Sequence, residues 1–224
     1  MRVAMLYHCP QSTHRLDGAL KLADAVVERI HLENGDPVPG PGFDRVVILG
    51  GAMGAYDVDR HPWLEAEKDW IRNLVGSEVP VLGICLGSQL LAEALGGRAY
   101  RADQPEAGVV PLSLTPAGLA DPVVSKIGPM VYSLHQDTFD LPPGAALLAH
   151  SDRFPHAFRL GSALALQFHP DADRDQGLEW GKEDWSILEA AGVGYDEYAA
   201  GLIAAEPQLD VASRAIFTAW IERR

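Results

Sequence analysis

The sequence predicts an α/β fold, in which a mostly parallel sheet flanked by helices forms a single domain over residues 1–224. Three observations predict it: short apolar runs without charges, helix-period patterns that follow them, and glycine turns at the junctions. The composition agrees, because 47% hydrophobic and 22% charged residues are ordinary values for a domain that buries a core.

The first part of the chain alternates between strand and helix patterns. Residues 2–7 are a mostly apolar run, typical of a strand buried on both faces. A helix face follows at spacings of three and four residues, formed by Leu16, Ala19, Leu20, Ala23, Val26 and Val27. Residues 26–32 also suit a second strand, since their branched side chains favour one, so the end of this helix stays open.

Two further strand–turn–helix units complete the predicted parallel sheet. Residues 45–49 form an apolar strand that runs into a glycine pair at 50–51, and an amphipathic helical pattern follows. Residues 80–84 predict another buried strand, and the helix after it stops at the glycine pair 96–97.

The rest of the chain contains two segments with different secondary-structure patterns. Residues 98–167 contain short branched runs broken by proline and glycine, which predict strands and hairpins, whereas residues 173–224 return to helical patterning. Five tryptophans in helical patterns are interpreted as core anchors: Trp63, Trp70, Trp180, Trp185 and Trp220. Four charged residues are interpreted as a solvated helix face: Glu65, Glu67, Lys68 and Asp69.

The charge balance excludes several classes of partner. The chain has 18 basic and 31 acidic residues, and a net charge of −13 disfavours binding to phosphate backbones and anionic membranes. No apolar run approaches the about 18–20 residues that span a bilayer, and the first run is too short for a signal-peptide core. We therefore expect a cytoplasmic protein that binds neither nucleic acid nor membranes.

Residues 83–89, Gly-Ile-Cys-Leu-Gly-Ser-Gln, have the form of a nucleophile elbow. Cys85 stands between a buried strand and a helix, where a sharp turn holds its side chain at the carboxyl end of the sheet. The helix N-terminus supplies a positive dipole that favours the thiolate, and the N–H of Leu86 is positioned to bind an oxyanion. A free cysteine taken alone is usually a buried apolar residue, but the flanking pattern favours a nucleophile.

A nucleophilic cysteine needs a base, and His169 is the candidate. It follows the apolar strand 164–168, and Pro170 ends that strand, so Asp171 can turn back to hold the imidazole. Taken alone, His169 is more often structural and Asp171 more often a turn residue. Together with Cys85 they predict a Cys-His-Asp triad.

The elbow, the glycine turn at 50–54 and the strand end at 167–171 resemble the class I, or triad, glutamine amidotransferase family. The resemblance is closest to stand-alone members similar to the glutaminase domain of GMP synthase. It implies a flavodoxin-like fold, with Cys85 as nucleophile, His169 as general base and acid, and Asp171 as the orienting carboxylate.

The resemblance also assigns the substrate pocket. It implies that the backbone N–H groups of Gly51 and Leu86 form the oxyanion hole and that Gln89 binds substrate. Ser133 and His135 fall where the family carries a loop that borders the glutamine pocket, although a polar turn at a strand end fits them equally well. The sequence departs from the family pattern in having Ala52 for the usual proline and Asp171 for the usual glutamate.

The implied reaction is hydrolysis of a γ-glutamyl amide, either glutamine or a γ-glutamyl peptide or conjugate, through a thioester on Cys85 with release of ammonia or an amine. One alternative is a glutaminase subunit that delivers ammonia to a separate synthetase partner. The helical stretch 173–224 follows His169 directly and is expected to wall one side of the pocket, which favours autonomous hydrolysis.

Two further classes of function fit less well. An α/β-hydrolase with a cysteine elbow carries its acid between nucleophile and histidine, whereas Asp171 follows His169. A catalytically silent binding domain of the same fold would be favoured if a triad residue were missing, and all three are present.

No cofactor or metal ion is expected. His8 and His14 lack a third ligand in suitable sequence, and residues 50–54 lack the lysine and spacing of a phosphate-binding loop. Cys9 either lines the site at the sheet edge or is a passive buried thiol.

Overall fold

The computed structural model describes residues 1–223. Its strands, in chain order, are β1 (Arg2–Tyr7), β2 (Val26–His31), β3 (Arg45–Ile48), β4 (Val81–Ile84), β5 (Arg98–Pro111), β6 (Ser113–Leu114), β7 (Met130–Asp140), β8 (Ala146–His150), β9 (Pro155–Leu160) and β10 (Ala163–Leu166). Its helices are α1 (His14–Leu22), α2 (Trp63–Gly76), α3 (Leu86–Ala94), α4 (Pro116–Ala120), α5 (Arg174–Glu183), α6 (Trp185–Ala191) and α7 (Tyr195–Glu222).

Eight of these strands form one sheet in the order β2-β1-β3-β4-β10-β9-β8-β6. The first five are parallel to one another, and the last three extend the sheet in antiparallel fashion. Strands β5 and β7 form a separate antiparallel pair. The predicted α/β fold with a mostly parallel sheet flanked by helices is confirmed.

The continuous apolar runs are explained by burial of the sheet on both faces. In β1, Met5 points into one apolar cluster with α1 and α7, while Leu6 points into a second cluster with α2 and α3. A strand covered by helices on both sides needs apolar residues at successive positions, since successive side chains point to opposite faces.

The register of the sheet brings two chain segments to the same edge. Strand β4 pairs in parallel with β10, with Ile84 opposite Leu166. The residues that follow, 85 and 167–171, therefore leave the sheet side by side at its carboxyl edge, where open α/β sheets bind ligands.

The first helix is shorter than its apolar spacing predicts. Helix α1 ends at Leu22, and Val26 begins β2, where its N–H donates to the carbonyl of Met1. The strand alternative for this segment is confirmed. The helical periodicity that continued to Val27 was coincidental, because pairing with β1 satisfies the backbone groups that a longer helix would have used.

Two interpretations of side-chain environment are wrong. Trp185 is 50% exposed and is not a core anchor. Glu67 and Lys68 do not face solvent: Glu67 is fully buried against His8, and Lys68 is buried and pairs with Glu93. The side of α2 that carries them packs on the protein, and each charge there has an opposite partner or an imidazole.

Among the helices of residues 1–223, none is both long enough and apolar enough to cross a bilayer.

A buried ion pair ties the segment after α4 to the antiparallel half of the sheet. Arg159 on β9 donates to both carboxylate oxygens of Asp121, at 2.5 and 3.0 Å. The same carboxylate accepts the N–H groups of Val123 and Val124 at 2.9 and 3.0 Å. Burial opposes ionisation of Asp121, but these hydrogen bonds and the charge of Arg159 outweigh it and lower its pKa.

We expect Asp121→Asn to lower the free energy of unfolding by about 1–3 kcal/mol at neutral pH, because it leaves Arg159 without its counter-charge. A carboxyl group whose pKa is lowered by folding contributes stability above its unfolded pKa of about 3.9, and this is lost as pH falls through the native value. Urea unfolding of both proteins at pH 7 and near pH 3 measures the difference, which should shrink in acid.

Asp69→Asn is the matched control. Its partner Arg72 and Asp69 itself are both exposed, so the change should stay below about 0.5 kcal/mol at either pH. An equal effect of Asp121→Asn at both pH values would contradict the role given to its ionised form.

Candidate active site

The elbow at Cys85 has a strained backbone. Cys85 follows β4 and precedes α3, and its φ is +50°, in a region that residues with a side chain rarely adopt. Its N–H donates to the carbonyl of Leu166 at 2.8 Å, and its own carbonyl accepts the N–H and the hydroxyl of Ser88 at 2.9 and 2.6 Å. The hydrogen bonds on both sides hold the conformation that turns the thiol to the edge of the sheet.

Two glycines of the elbow allow the chain to pack against neighbouring backbone. A Cβ atom on Gly87 would lie 2.1 Å from the carbonyl oxygen of Ile48 on β3. One on Gly83 would lie 2.4 Å from the carbonyl oxygen of Gly87. Any side chain at either position would push α3 away from the sheet.

The structure brings Cys85, His169 and Asp171 together. A Cβ atom on Gly50 would lie 3.2 Å from Cε1 of His169 and 3.6 Å from Cβ of Cys85, so both side chains meet above this glycine. His169 Nδ1 lies 3.2 Å from Oδ1 of Asp171 and is placed to donate to it. All three residues are buried. Asp171 therefore reaches the imidazole although its side chain is one methylene shorter than the glutamate that is usual in the family.

The electrostatics of the site favour a protonated His169. Burial alone would lower its pKa, but the negative charges of Cys85 and Asp171 outweigh burial and raise it to about 10. At neutral pH this arrangement places an imidazolium beside the Cys85 sulfur.

The second cysteine, Cys9, lies in a partly buried environment that disfavours its thiolate. Cys9 lines the same cavity, where burial and the charge of Cys85 raise its pKa to about 12. A thiol in that state is a poor nucleophile at neutral pH.

The two segments proposed for an oxyanion hole pack against each other. Leu86 is the first residue of α3, so its N–H has no acceptor within the helix. A Cβ atom on Gly51 would lie 2.7 Å from both Leu86 Cδ2 and His8 Cβ. The glycine turn is thus held against the start of α3 despite having Ala52 instead of proline.

A buried pair supports this turn from behind. His8 Nε2 lies 3.1 Å from both carboxylate oxygens of Glu67, and its ring stacks on Trp63 with centroids 5.5 Å apart. His14 lies elsewhere and is paired with Asp173, so the two histidines share no ligand set. Sequence reasoning missed the pair because its members are 59 residues apart.

Gln89 and His135 line the cavity, but their polar groups contact protein. Gln89 Nε2 donates to the carbonyl of Asp137 at 3.2 Å and to Oε1 of Gln167 at 3.3 Å. His135 Nδ1 lies 2.9 Å from the carbonyl of Asp137, and its other nitrogen faces Glu106. Both side chains therefore position the segment 134–137 that forms one wall of the cavity.

The structure does not bring Ser133 into the cavity. Ser133 is fully buried outside it and is paired with Gly108 between β7 and β5. The cavity wall starts one residue later, at Leu134, so the role of Ser133 in binding substrate stays a prediction.

A cavity of about 350 Å³ opens above these residues, and two helices close its far side. Trp180 of α5 packs on His169 with ring centroids 4.8 Å apart and ring planes at 60°, so it lines the cavity as well as packing on the apolar cluster behind it. Glu183, Asp184 and Ile187 extend the same wall. The expected walling of the pocket by the helical stretch after His169 is confirmed.

The cavity is acidic. Asp137, Glu183 and Asp184 line it, and none of the lining residues in the described part of the chain is lysine or arginine. Burial and the charge of Glu183 raise the pKa of Asp184, and burial raises that of Asp137. Arg101 lies 3.9 Å from Asp137, whereas Glu183 and Asp184 have no salt-bridge partner among residues 1–223.

Comparison with known proteins agrees with the site. Residues 12–179 match the family model described as glutamine amidotransferase class-I. The chain belongs to the class I glutamine amidotransferase family. The matched range contains the elbow, the glycine turn and the strand end that carry Cys85, Gly51 and His169.

Relatives and solved structures share this family. The chain is 29% identical to a subunit of the glutamine-hydrolyzing GMP synthase of Sulfolobus acidocaldarius over 80% of its length and 94% of that protein. It is 34% identical to the glutamine amidotransferase-like protein YfeJ of Salmonella typhimurium over 57% of the chain, and the match spans about half, 55%, of that relative. A glutamine amidotransferase structure from Thermotoga maritima superposes with a TM-score of 0.85 and 26% identity, covering 100% of this chain and 99% of that one.

We expect Gly87→Ala to destabilise the protein by about 3 kcal/mol or more, because the new methyl group meets the backbone of β3 at 2.1 Å. Urea unfolding followed by circular dichroism measures the change.

Gly18→Ala is the control: this glycine lies within α1 with open space around it, so alanine should raise stability by up to about 1 kcal/mol. A Gly87→Ala protein as stable as the parent would show that α3 can move away from the sheet without loss of stability.

Proposed function

We propose that this protein hydrolyses a γ-glutamyl amide through a thioester on Cys85. The observation that carries the proposal is that Cys85 and His169 meet above Gly50 at the floor of a cavity large enough for a small amide, with Asp171 holding His169 from behind. Membership of a glutamine amidotransferase family supports the same chemistry.

The first step is acyl transfer to sulfur. The Cys85 thiolate attacks the γ-carbonyl carbon, and the N–H groups of Gly51 and Leu86 bind the oxygen that becomes negative. The His169 imidazolium then gives its proton to the amide nitrogen, the C–N bond breaks, and ammonia or an amine leaves. A γ-glutamyl thioester and a neutral imidazole remain.

The second step returns the enzyme to its starting state. Neutral His169 accepts a proton from a water molecule as the oxygen attacks the thioester carbon, and the C–S bond breaks to release glutamate. Asp171, which holds Nδ1, stabilises the imidazolium that re-forms beside the thiolate. The imidazolium favoured by the surroundings of His169 is the form needed for the first step.

The acidic wall indicates which substrates fit. Glu183 and Asp184 attract cationic groups, and the cavity lining offers no lysine or arginine in the described residues to hold an anionic leaving group. The α-ammonium group of a glutamyl substrate, or a positive charge on the departing amine, suits this wall.

Cys85→Ser and His169→Ala should each lower kcat by at least about 1,000-fold, and the double variant should lose little more, because the two side chains act as one unit. Asp171→Asn should lose less than either, since it keeps the side-chain shape and removes only the charge that stabilises the imidazolium. Glutamate release measured at saturating substrate gives the comparison.

His31→Ala is the matched histidine control, because His31 lies on β2 and pairs with Glu33 outside the cavity. A glutamine analogue with an electrophilic γ-carbon, followed by peptide mass spectrometry, should label Cys85 and spare Cys9. Labelling at Cys9, or losses that multiply in the double variant, would contradict the assigned roles.

A second candidate is glutaminase activity that delivers ammonia to a separate synthetase. The match to almost the whole of a GMP synthase subunit favours it. The wall formed by α5 and α6 favours autonomous hydrolysis instead, because this chain itself covers one side of the cavity without a partner.

Purified protein alone should therefore hydrolyse γ-glutamyl amides. We expect a higher kcat/KM for γ-glutamyl-lysine than for γ-glutamyl-glutamate, because the acidic wall attracts the first and repels the second, and we expect added salt to reduce the difference. Coupled glutamate assays with these dipeptides and with glutamine measure both effects. Negligible turnover of all three until a synthetase is added would favour ammonia delivery.

A further inference from the structure

A second group of chemically active side chains lies behind the cavity wall, outside the triad. Glu106 on β5, His135 on β7 and His156 on β9 are all buried, and one ligand atom from each lies within 4.8 Å of the others. Glu106 Oε2 is 2.7 Å from Nε2 of His156 and 3.5 Å from Nε2 of His135. Three strands from different parts of the chain thus aim three potential metal ligands at one point.

The contact between Glu106 and His135 is not a hydrogen bond. Nδ1 of His135 faces the carbonyl of Asp137 at 2.9 Å, which places a hydrogen on that nitrogen and makes Nε2 the nitrogen available to a metal ion. That Nε2 is buried, has no hydrogen-bond partner among the described residues and points at a carboxylate oxygen. An imidazole nitrogen and a carboxylate oxygen therefore face each other across 3.5 Å between two buried side chains.

Both atoms also lie within 4.8 Å of the ligand nitrogen of His156. A bound cation would satisfy both atoms at once.

We propose that Glu106, His135 and His156 bind a divalent transition-metal ion of the Zn²⁺ type. Two imidazole nitrogens and one carboxylate oxygen form a ligand set that Zn²⁺ prefers over Mg²⁺ or Ca²⁺. Tetrahedral Zn²⁺ with ligands at about 2.0–2.2 Å separates the ligand atoms by about 3.3–3.6 Å, which matches the 3.5 Å between Glu106 and His135. The contact between Glu106 and His156 has to lengthen from 2.7 Å to that separation.

The surroundings provide part of the supporting hydrogen-bond shell that such sites need. Ser151 Oγ donates to the second oxygen of Glu106 at 2.9 Å, and the His135 Nδ1–H is fixed by Asp137. To bind the ion, His156 moves its proton from Nε2 to Nδ1, which has no partner among the described residues and is free to carry it. The fourth position is left for water or a cavity ligand.

The ion would join the β5–β7 pair to β9 of the main sheet. His135 belongs to the segment 134–137, whose Asp137 carbonyl contacts Gln89 in the cavity wall. The site is thus a structural clamp behind the wall, and it does not depend on the chemistry proposed for Cys85.

Zinc titration of the full chain tests the proposal. Cys9→Ala and Cys85→Ala are introduced first, so that neither thiol can bind the ion, and the chelator-treated protein is titrated with Zn²⁺ alone by calorimetry. We expect one ion per chain, and with Co²⁺ the intense visible absorption of a four-coordinate site. His156→Gln should weaken binding by at least about 100-fold, and Glu106→Gln likewise.

His31→Gln in the same background is the control, because it removes an imidazole that pairs with a glutamate on a partly exposed surface. Its affinity for Zn²⁺ should equal that of the background protein. Circular dichroism checks that each variant is folded, and the Co²⁺ spectrum of the background protein tests the site without relying on any variant at it. Less than one bound ion per chain, a six-coordinate Co²⁺ spectrum, or unchanged binding in folded His156→Gln would overturn the proposal.

Discussion

The close approach of the elbow to the β3 backbone is the constraint on which the active-site geometry depends. Gly87 lets α3 begin directly over Ile48, and Gly83 lets β4 pass beneath the helix it has just left. With both contacts in place, the positive φ of Cys85 is held by hydrogen bonds to the neighbouring strand and to the first turn of α3. The register of β4 with β10 then fixes where His169 emerges relative to the thiol.

The parts of the fold and site that follow from local pattern could be predicted from the sequence. Strands buried on both faces are largely apolar, so β1, β3 and β4 can be recognised from the sequence. The glycine spacing around Cys85 is typical of a nucleophile elbow. His169 could be located because a proline ends its strand. The end of α1 could not be fixed, since Val26 and Val27 suit a helix face and a strand equally, and only pairing with β1 decides between them.

Contacts between distant segments left no such signal. Nothing in the sequence around Glu67 shows that His8 will bury it, and its neighbours Glu65 and Asp69 do face solvent. Trp180 has the spacing of a core residue, yet its ring lies over His169 because α5 crosses the open end of the sheet. The group of Glu106 and two histidines is assembled by strand pairing across up to 50 residues, which no short spacing motif records.

The floor and the wall of the cavity come from physically separate parts of the fold. Cys85 and His169 stand on strand ends that are fixed by the sheet, whereas Trp180, Glu183 and Asp184 lie in α5 and at its junction with α6, two short helices that pack over the sheet. Substitutions in α5 and the start of α6 can therefore change the shape and charge of the cavity while the hydrogen bonds of the elbow stay intact. Such a division lets one reactive centre be retained through changes of substrate, because selection can act on the wall without disturbing the floor.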